Sequence, residues 1–206
     1  MSPQPEIRYC FADYLAVERT ASDEKHEYVA GQVYAMTGAS YHHNLITANL
    51  VRRFGNQLDA GPCTVFANDM RVRIEAADAS IYPDLVALCD EPAFYDDRQD
   101  VLTNTILLIE VLSPSTEGYD RGGKFALYRA LPSLLQYVLI AQDRFSVDVF
   151  SRQDDQRWVL TVYSTPGDLI SFDAIGCAIP MVEIYARVSF APQVAIHDPL
   201  IRQWTR

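Results

Sequence analysis

Ile81-Tyr82-Pro83-Asp84-Leu85-Val86-Ala87-Leu88 and Thr105-Ile106-Leu107-Leu108-Ile109-Glu110-Val111-Leu112 are the two stretches that decide the fold. Each reads as a buried strand, a short apolar run rich in β-branched and aliphatic residues. Each is interrupted by one carboxylate, Asp84 in the first and Glu110 in the second. An ionised carboxylate in apolar surroundings is costly unless opposite charge or hydrogen bonds compensate it. A divalent cation shared between two adjacent strands would do so, and hard cations such as magnesium prefer carboxylate oxygens. The two runs therefore point first to metal-dependent phosphodiester chemistry.

Working outward, Phe11, Tyr14, Leu15 and Val17 suggest a short amphipathic helix over residues 11–20. Tyr28 to Met36 reads as strand, turn, strand, with Gly31 in the turn. From His43 to Leu58, apolar Leu45, Ile46, Leu50, Phe54 and Leu58 recur at helical spacing, and Gly61-Pro62 ends the run. Thr64-Val65-Phe66 and Met70-Arg71-Val72-Arg73-Ile74 alternate as half-buried strands do, which puts Arg71 and Arg73 on a solvent side. A second amphipathic helix is expected over 117–131, closed by Pro132. An antiparallel meander follows over 135–163, then a short helix near Pro180 to Tyr185. A strand-rich middle flanked by helices implies an α/β or α+β fold around a mixed sheet.

The 206 residues are expected to form a single domain, with a core over about 10–186 and a tail over 187–206. No run approaches the roughly 18 apolar residues of a membrane span, and the N-terminus lacks the pattern of a signal peptide. The four cysteines, Cys10, Cys63, Cys89 and Cys177, are scattered, so neither zinc nor a disulfide framework is expected and Cys89 reads as a small core residue. A cytoplasmic setting follows. The net charge of −10 runs against nucleic-acid binding, which usually has a basic footprint. Some of the acid lies in residues 90–100, read as an exposed connection, and an acidic metal site is itself negative until filled.

Pro83-Asp84, then Glu110 in a second strand, then Lys124 on the following helix resemble the PD-(D/E)XK nuclease superfamily. More closely, the chain is similar to the "putative restriction endonuclease" family of the Uma-two type. The residues carrying the likeness are His26-Glu27-Tyr28, His43, Asp69 to Arg73, Tyr82 to Val86, Glu110 to Thr116, and Asp120-Arg121 with Lys124 and Tyr128. The resemblance implies a restriction-endonuclease-like mixed β-sheet flanked by helices, Mg2+ or Mn2+ as cofactor, and DNA as substrate. Asp84 and Glu110 would hold the cation, with the carbonyl of Val111 an extra ligand. Phosphodiester hydrolysis needs such an ion to polarise the phosphate and acidify a water. Glu27 is a further metal ligand by the same resemblance. The superfamily's usual lysine lies two residues after the glutamate, and here that position is Leu112. Lys124 is the replacement, since Asp120, Lys124 and Tyr128 fall on one helix stripe. The helix start near Ser115-Thr116 could present backbone N–H groups to a phosphate. Double-strand cleavage would suit a homodimer, with the meander or the tail around Trp204 as its interface.

Blander readings stand beside these. Asp84 could be a turn residue after proline. Glu110 could be salt-bridged to Arg71, Arg73 or Lys124. His43 could touch substrate or merely cap its helix, and Arg71 and Arg73 could contact phosphate. Tyr128 reads as a packing residue with a hydrogen-bonded hydroxyl. Gly118 to Lys124 imitates a phosphate-binding loop but lacks the following Ser or Thr, so no nucleotide cofactor is expected. The alternative to a nuclease is a catalytically inactive protein of the same fold that binds nucleic acid or a protein.

Overall fold

The structure, a computed structural model, describes residues 8–36, 38–154 and 157–190. Helix α1 (Phe11–Glu18) leads into the hairpin β1 (His26–Val29) and β2 (Gln32–Ala35). Val29 pairs with Gln32, and the two turn residues between them, Ala30 and Gly31, both have positive φ, the primed turn that suits strand twist. Helix α2 (Tyr41–Leu58) is capped by the Ser40 hydroxyl, which accepts from the His43 amide at 3.1 Å. It buries Ile46, Leu50 and Phe54 as the spacing predicts.

Eleven further strands, a broken helix and a short last helix follow among the described residues. They begin with β3 (Thr64–Ala67), β4 (Arg71–Ile74), β5 (Ala79–Ile81), β6 (Leu85–Leu88), β7 (Val101–Leu102) and β8 (Leu107–Leu112). The broken helix is α3 (Glu117–Tyr119), a π-helical turn (Asp120–Lys124) and α4 (Phe125–Tyr128). Then come β9 (Gln136–Ala141), β10 (Val147–Arg152), β11 (Trp158–Tyr163), β12 (Leu169–Phe172), β13 (Cys177–Pro180) and α5 (Met181–Ile184). The six-stranded sheet runs β11-β10-β9-β8-β6-β3, and the five-stranded sheet runs β2-β1-β5-β4-β7. Both are mixed, because β8 pairs with β9 and β4 with β7 in parallel while the other pairs are antiparallel. This is the expected α+β architecture with helices against mixed sheets, and the meander β9-β10-β11 lies as expected.

Side-chain alternation along β8 sets the two cores. Leu107, Ile109 and Val111 join Ile46, Leu50 and Phe54 of α2. Leu108 and Leu112 face the other way, with Tyr128 and with Val72, Ile74 and Ile81 of the five-stranded sheet. Glu110 has the parity of this second face. Among the described residues no helix is long and apolar enough to cross a membrane.

Three expectations are corrected. Residues 81–88 are not one strand: β5 ends at Ile81 in one sheet and β6 starts at Leu85 in the other, so Tyr82-Pro83-Asp84 forms the corner between sheets. Proline, with no N–H to give a ladder, suits that break. Arg71 and Arg73 are buried, not solvent-facing. The Arg71 guanidinium meets Asp100 and lies over Tyr82, while Arg73 meets Asp78 at 2.8 Å and lies 4.0 Å from the Phe11 ring centroid. The acidic connection is largely exposed, as expected, and Arg19 anchors it at Asp96, 2.8 Å away, and Asp100, 2.9 Å away. Finally, Cys63 and Cys89 form a disulfide. Thr64 pairs with Leu88, so the residues just beyond them face each other across adjacent strands. The tail from residue 191, including Trp204, lies outside the described residues.

Candidate active site

The corner between the sheets opens into a cleft of about 1510 Å³, lined by Glu27, His43, Asp84, Glu110, Val111, Asp120 and Lys124 among others. Four elements deliver these groups. Extending the register of β6 against β8, in which Leu85 faces Ile109, sets Asp84 beside Glu110. The Asp84 Oδ2 accepts from the Val111 N–H at 2.7 Å, which fixes the carboxylate at the strand end. His43, in the first turn of α2, places its Nε2 3.0 Å from the same oxygen. His43 therefore neither caps its helix through the side chain nor stands free, and its partner is Asp84.

Glu27 lies on β1, whose pairing with β5 carries it to the corner, where its Oε1 is 3.4 Å from the Tyr82 N–H. The broken helix brings the remaining groups. Lys124 Nζ lies 3.1 Å from Glu27, 3.2 Å from Glu110 and 3.6 Å from Asp120. Tyr128 is buried, and its hydroxyl donates to Glu110 Oε1 at 2.7 Å. Lys124 and Tyr128 of the stripe thus converge on Glu110, with Asp120 against Lys124, even though a π-helical turn interrupts the helix. Leu112 is in the core beside Tyr128, and the ammonium comes from the helix instead of the strand.

Three carboxylates therefore surround one ammonium, and a fourth, Asp84, stands beside Glu110. Burial pushes the Glu110 carboxyl up to about 8; Lys124 opposes this, while Asp84, Asp120 and Glu27 add to it. Burial likewise raises Asp120, with partial relief from Lys124, and its Oδ1 has no hydrogen-bond partner. Burial works against the charge of Lys124, but Glu110, Glu27 and Asp120 outweigh it and hold the ammonium above the ordinary lysine range. A surplus of acid explains how the lysine stays charged while Glu110 keeps a raised pKa. Among the described residues no three acid, histidine or cysteine side chains are already gathered as a ligand cluster, because Lys124 sits between them.

Some expected groups lie elsewhere. Arg71 and Arg73 do not line the cleft, and their ion pairs account for both. The backbone N–H groups near Thr116 are engaged, since Thr116 and Glu117 donate to the hydroxyl and carbonyl of Ser113. Sequence reading missed Tyr34, Lys25, Asp69, Tyr119 and Gln142, which also line the cleft. Only the register Glu27 opposite Tyr34 and the position of Tyr119 next to Asp120 would have indicated the two tyrosines.

Comparison with known proteins supports a common lineage. The chain is 37% identical over 169 residues to an uncharacterized Synechocystis sp. protein (slr1290), covering 81% of this chain and 86% of that one. A second Synechocystis protein, sll1609, also uncharacterized, is 37% identical over 150 residues, 73% of this chain and 84% of the other. The fold is shared with a crystal structure from Anabaena variabilis described as "a putative nuclease belonging to DUF820". That pair has a TM-score of 0.64 at 16% identity, covering 78% of this chain and 89% of the other. The profile of the Uma2 family, described as "Putative restriction endonuclease", matches residues 11–181, and the chain belongs to that family.

Proposed function

We propose that this protein is a Mg2+- or Mn2+-dependent endonuclease that hydrolyses phosphodiester bonds in DNA. The observation that carries the reading is the excess of carboxylates in one cleft, with Glu27, Asp84, Glu110 and Asp120 gathered about Lys124. The family's description and the nuclease label of the Anabaena neighbour agree with it. Hard oxygen donors, net negative charge and a buried Asp120 Oδ1 that makes no hydrogen bond, with Lys124 Nζ 3.6 Å away, fit a divalent cation. Asp84 and Glu110 would hold it, with the Val111 carbonyl and Glu27 as further donors. Such an ion polarises a phosphate and lowers the pKa of a water when bound.

The chain's own residues do the rest. Val111 N–H and His43 orient Asp84, and Tyr128 orients Glu110, so the carboxylates are fixed before substrate arrives. The Lys124 ammonium stabilises negative charge developing on the phosphate and orients the attacking water. A homodimer would set two such clefts on the two strands of a duplex. The outer strand β11 exposes Val159, Leu160 and Val162, a surface that dimer would use.

Incubation with supercoiled plasmid and Mn2+, beside Glu110→Gln prepared identically, tests the reading. Nicking or linearisation by the wild type alone is the expected result. Equal cleavage by both would remove Glu110 from the site. Cleavage by neither, in Mg2+ or Mn2+, would favour the inactive binding protein.

A further inference from the structure

We infer that the cleft takes an unpaired nucleic-acid strand, with the rings of Tyr34 and Tyr119 stacking on bases beside the scissile phosphate. The cleavage step rests on the nuclease reading above, whereas the binding preference rests on the lining and charge of the cleft. Tyr34 stands directly opposite Glu27 in the β1–β2 pair, so the two side chains share a face. Tyr119 immediately precedes Asp120, and its phenol lies close enough to Tyr34, Glu27 and Lys124 to feel their charge. Both line the cleft, and both remain almost half exposed, at 47% and 44%. Two aromatic rings left open in the carboxylate-lined cleft present π-faces that an unstacked base would cover.

Gly123 gives independent support. A Cβ at that position would lie 2.5 Å from Cδ2 and Cε2 of Tyr119, so the ring seats directly on the glycine. Glycine inside a helix is unfavourable relative to alanine by about 1 kcal/mol, yet here Gly122-Gly123 occupies the π-helical turn. The seat for the Tyr119 ring explains the second of them, and it also explains the glycine-lysine sequence that imitates a nucleotide-binding loop.

The charge of the cleft points the same way. Its two lining lysines are both engaged, Lys25 with Asp69 at 2.6 Å and Lys124 with three carboxylates. Duplex binding draws its affinity from neutralising many phosphates with free lysine and arginine. Among its described lining residues the cleft offers no lysine or arginine outside an ion pair, so stacking and a bound cation would hold the strand. A plasmid under negative supercoiling, with transiently unpaired stretches, is then a better substrate than a relaxed linear duplex.

The test is fluorescence anisotropy of the full chain in Ca2+, with a labelled 20-nucleotide single strand and the duplex of the same sequence as probes. The single strand is expected to bind at least tenfold tighter than the duplex. Tyr34→Ala and Tyr119→Ala should each weaken single-strand binding by roughly tenfold, whereas the phenylalanine variants keep it. Gly123→Ala should weaken it similarly without lowering the melting temperature, because alanine favours the helix while its methyl displaces the ring. Duplex binding as tight as single-strand binding, unchanged affinity in the alanine variants, or binding of neither probe would each overturn the inference. Cleavage in Mn2+ is scored separately. A protein that prefers single strands but cuts nothing refutes the nuclease reading alone, and one that cuts duplex without that preference refutes only the stacking platform.

Discussion

Replacing Glu110 by glutamine should stabilise the metal-free protein, although it takes a partner from a buried lysine. Glu110 is 4% exposed, and burial lifts its carboxyl from 4.5 to about 8. Between those values the folded chain holds a proton that the unfolded chain has lost. Stability therefore falls as pH rises through this window, and the full cost applies above pH 8. At about 1.4 kcal/mol per pH unit the ceiling is on the order of 5 kcal/mol. Structural relaxation and weaker hydrogen bonds to a neutral amide reduce the gain to about 1–3 kcal/mol, within the range for replacing buried charges by neutral groups. Glutamine keeps an Oε1 to accept from Tyr128 and Lys124, and Lys124 keeps Glu27 and Asp120. For a chain of this size, about 2–4 °C accompanies each kcal/mol. Thermal melts followed by circular dichroism in EDTA should thus show Glu110→Gln roughly 3–10 °C above wild type at pH 8 to 9, and level with it near pH 5. A lower melting temperature for the variant at pH 8 would mean that the carboxylate is a net stabilising partner of Lys124. The idea of a surplus of acid would then be wrong.

Lys124→Met should do the opposite, leaving buried carboxylates uncompensated at a cost of about 3–5 kcal/mol at pH 8; a loss that does not shrink toward pH 5 would contradict this. Reducing the Cys63–Cys89 disulfide, which spans 26 residues, should lower stability by about 3 kcal/mol, and Cys63→Ala/Cys89→Ala should melt identically with and without reductant. Arg19 holds the Asp100 carboxyl below the usual range by hydrogen bonding, against burial and with help from Arg71. That contribution is fully present above the ordinary aspartate value of about 4 and is lost as pH falls through the lowered one. Arg19→Met should therefore lose stability at pH 7 and converge with wild type near pH 2, and a constant gap across that range would show the arginine to act by packing.

Local periodicity made much of the fold readable. The Ile46, Leu50, Phe54 stripe of α2, the Ala30-Gly31 hairpin and the meander each follow from contacts within a short stretch of chain. So does the Asp120, Lys124, Tyr128 stripe, which survives the π-helical turn: Lys124 and Tyr128 still meet Glu110, and Asp120 meets Lys124. What could not be read depends on pairing between distant segments. A single apolar run over 81–88 gives no sign that the chain leaves one sheet for another at Pro83, beyond the missing N–H itself. Alternation in Arg71-Val72-Arg73-Ile74 suggests a wet face, and only Asp78 and Asp100, brought in by the fold, make burial of both arginines tolerable. Cys63 and Cys89 become neighbours only once Thr64 is known to face Leu88.

The same distant pairings resolve the tension between a net charge of −10 and a nucleic-acid substrate. Arg19, Arg53, Arg71, Arg73, Arg121 and Arg144 each meet a carboxylate, so much of the positive charge serves the fold and is not presented to phosphate. The cleft itself holds more acid than base. On the proposed function, positive charge at the scissile phosphate must then arrive with the divalent cation, and the protein should bind a nucleic acid weakly in EDTA and at least tenfold tighter when the cation is present. Linkage requires the reverse as well, with the nucleic acid tightening cation binding by the same factor. Calorimetric titration of Ca2+ into the wild type, with and without an oligonucleotide, reads this coupling in the same non-cleaving condition as the binding test. Equal oligonucleotide affinity with and without Ca2+ in the wild type would place the binding surface outside the acidic cleft.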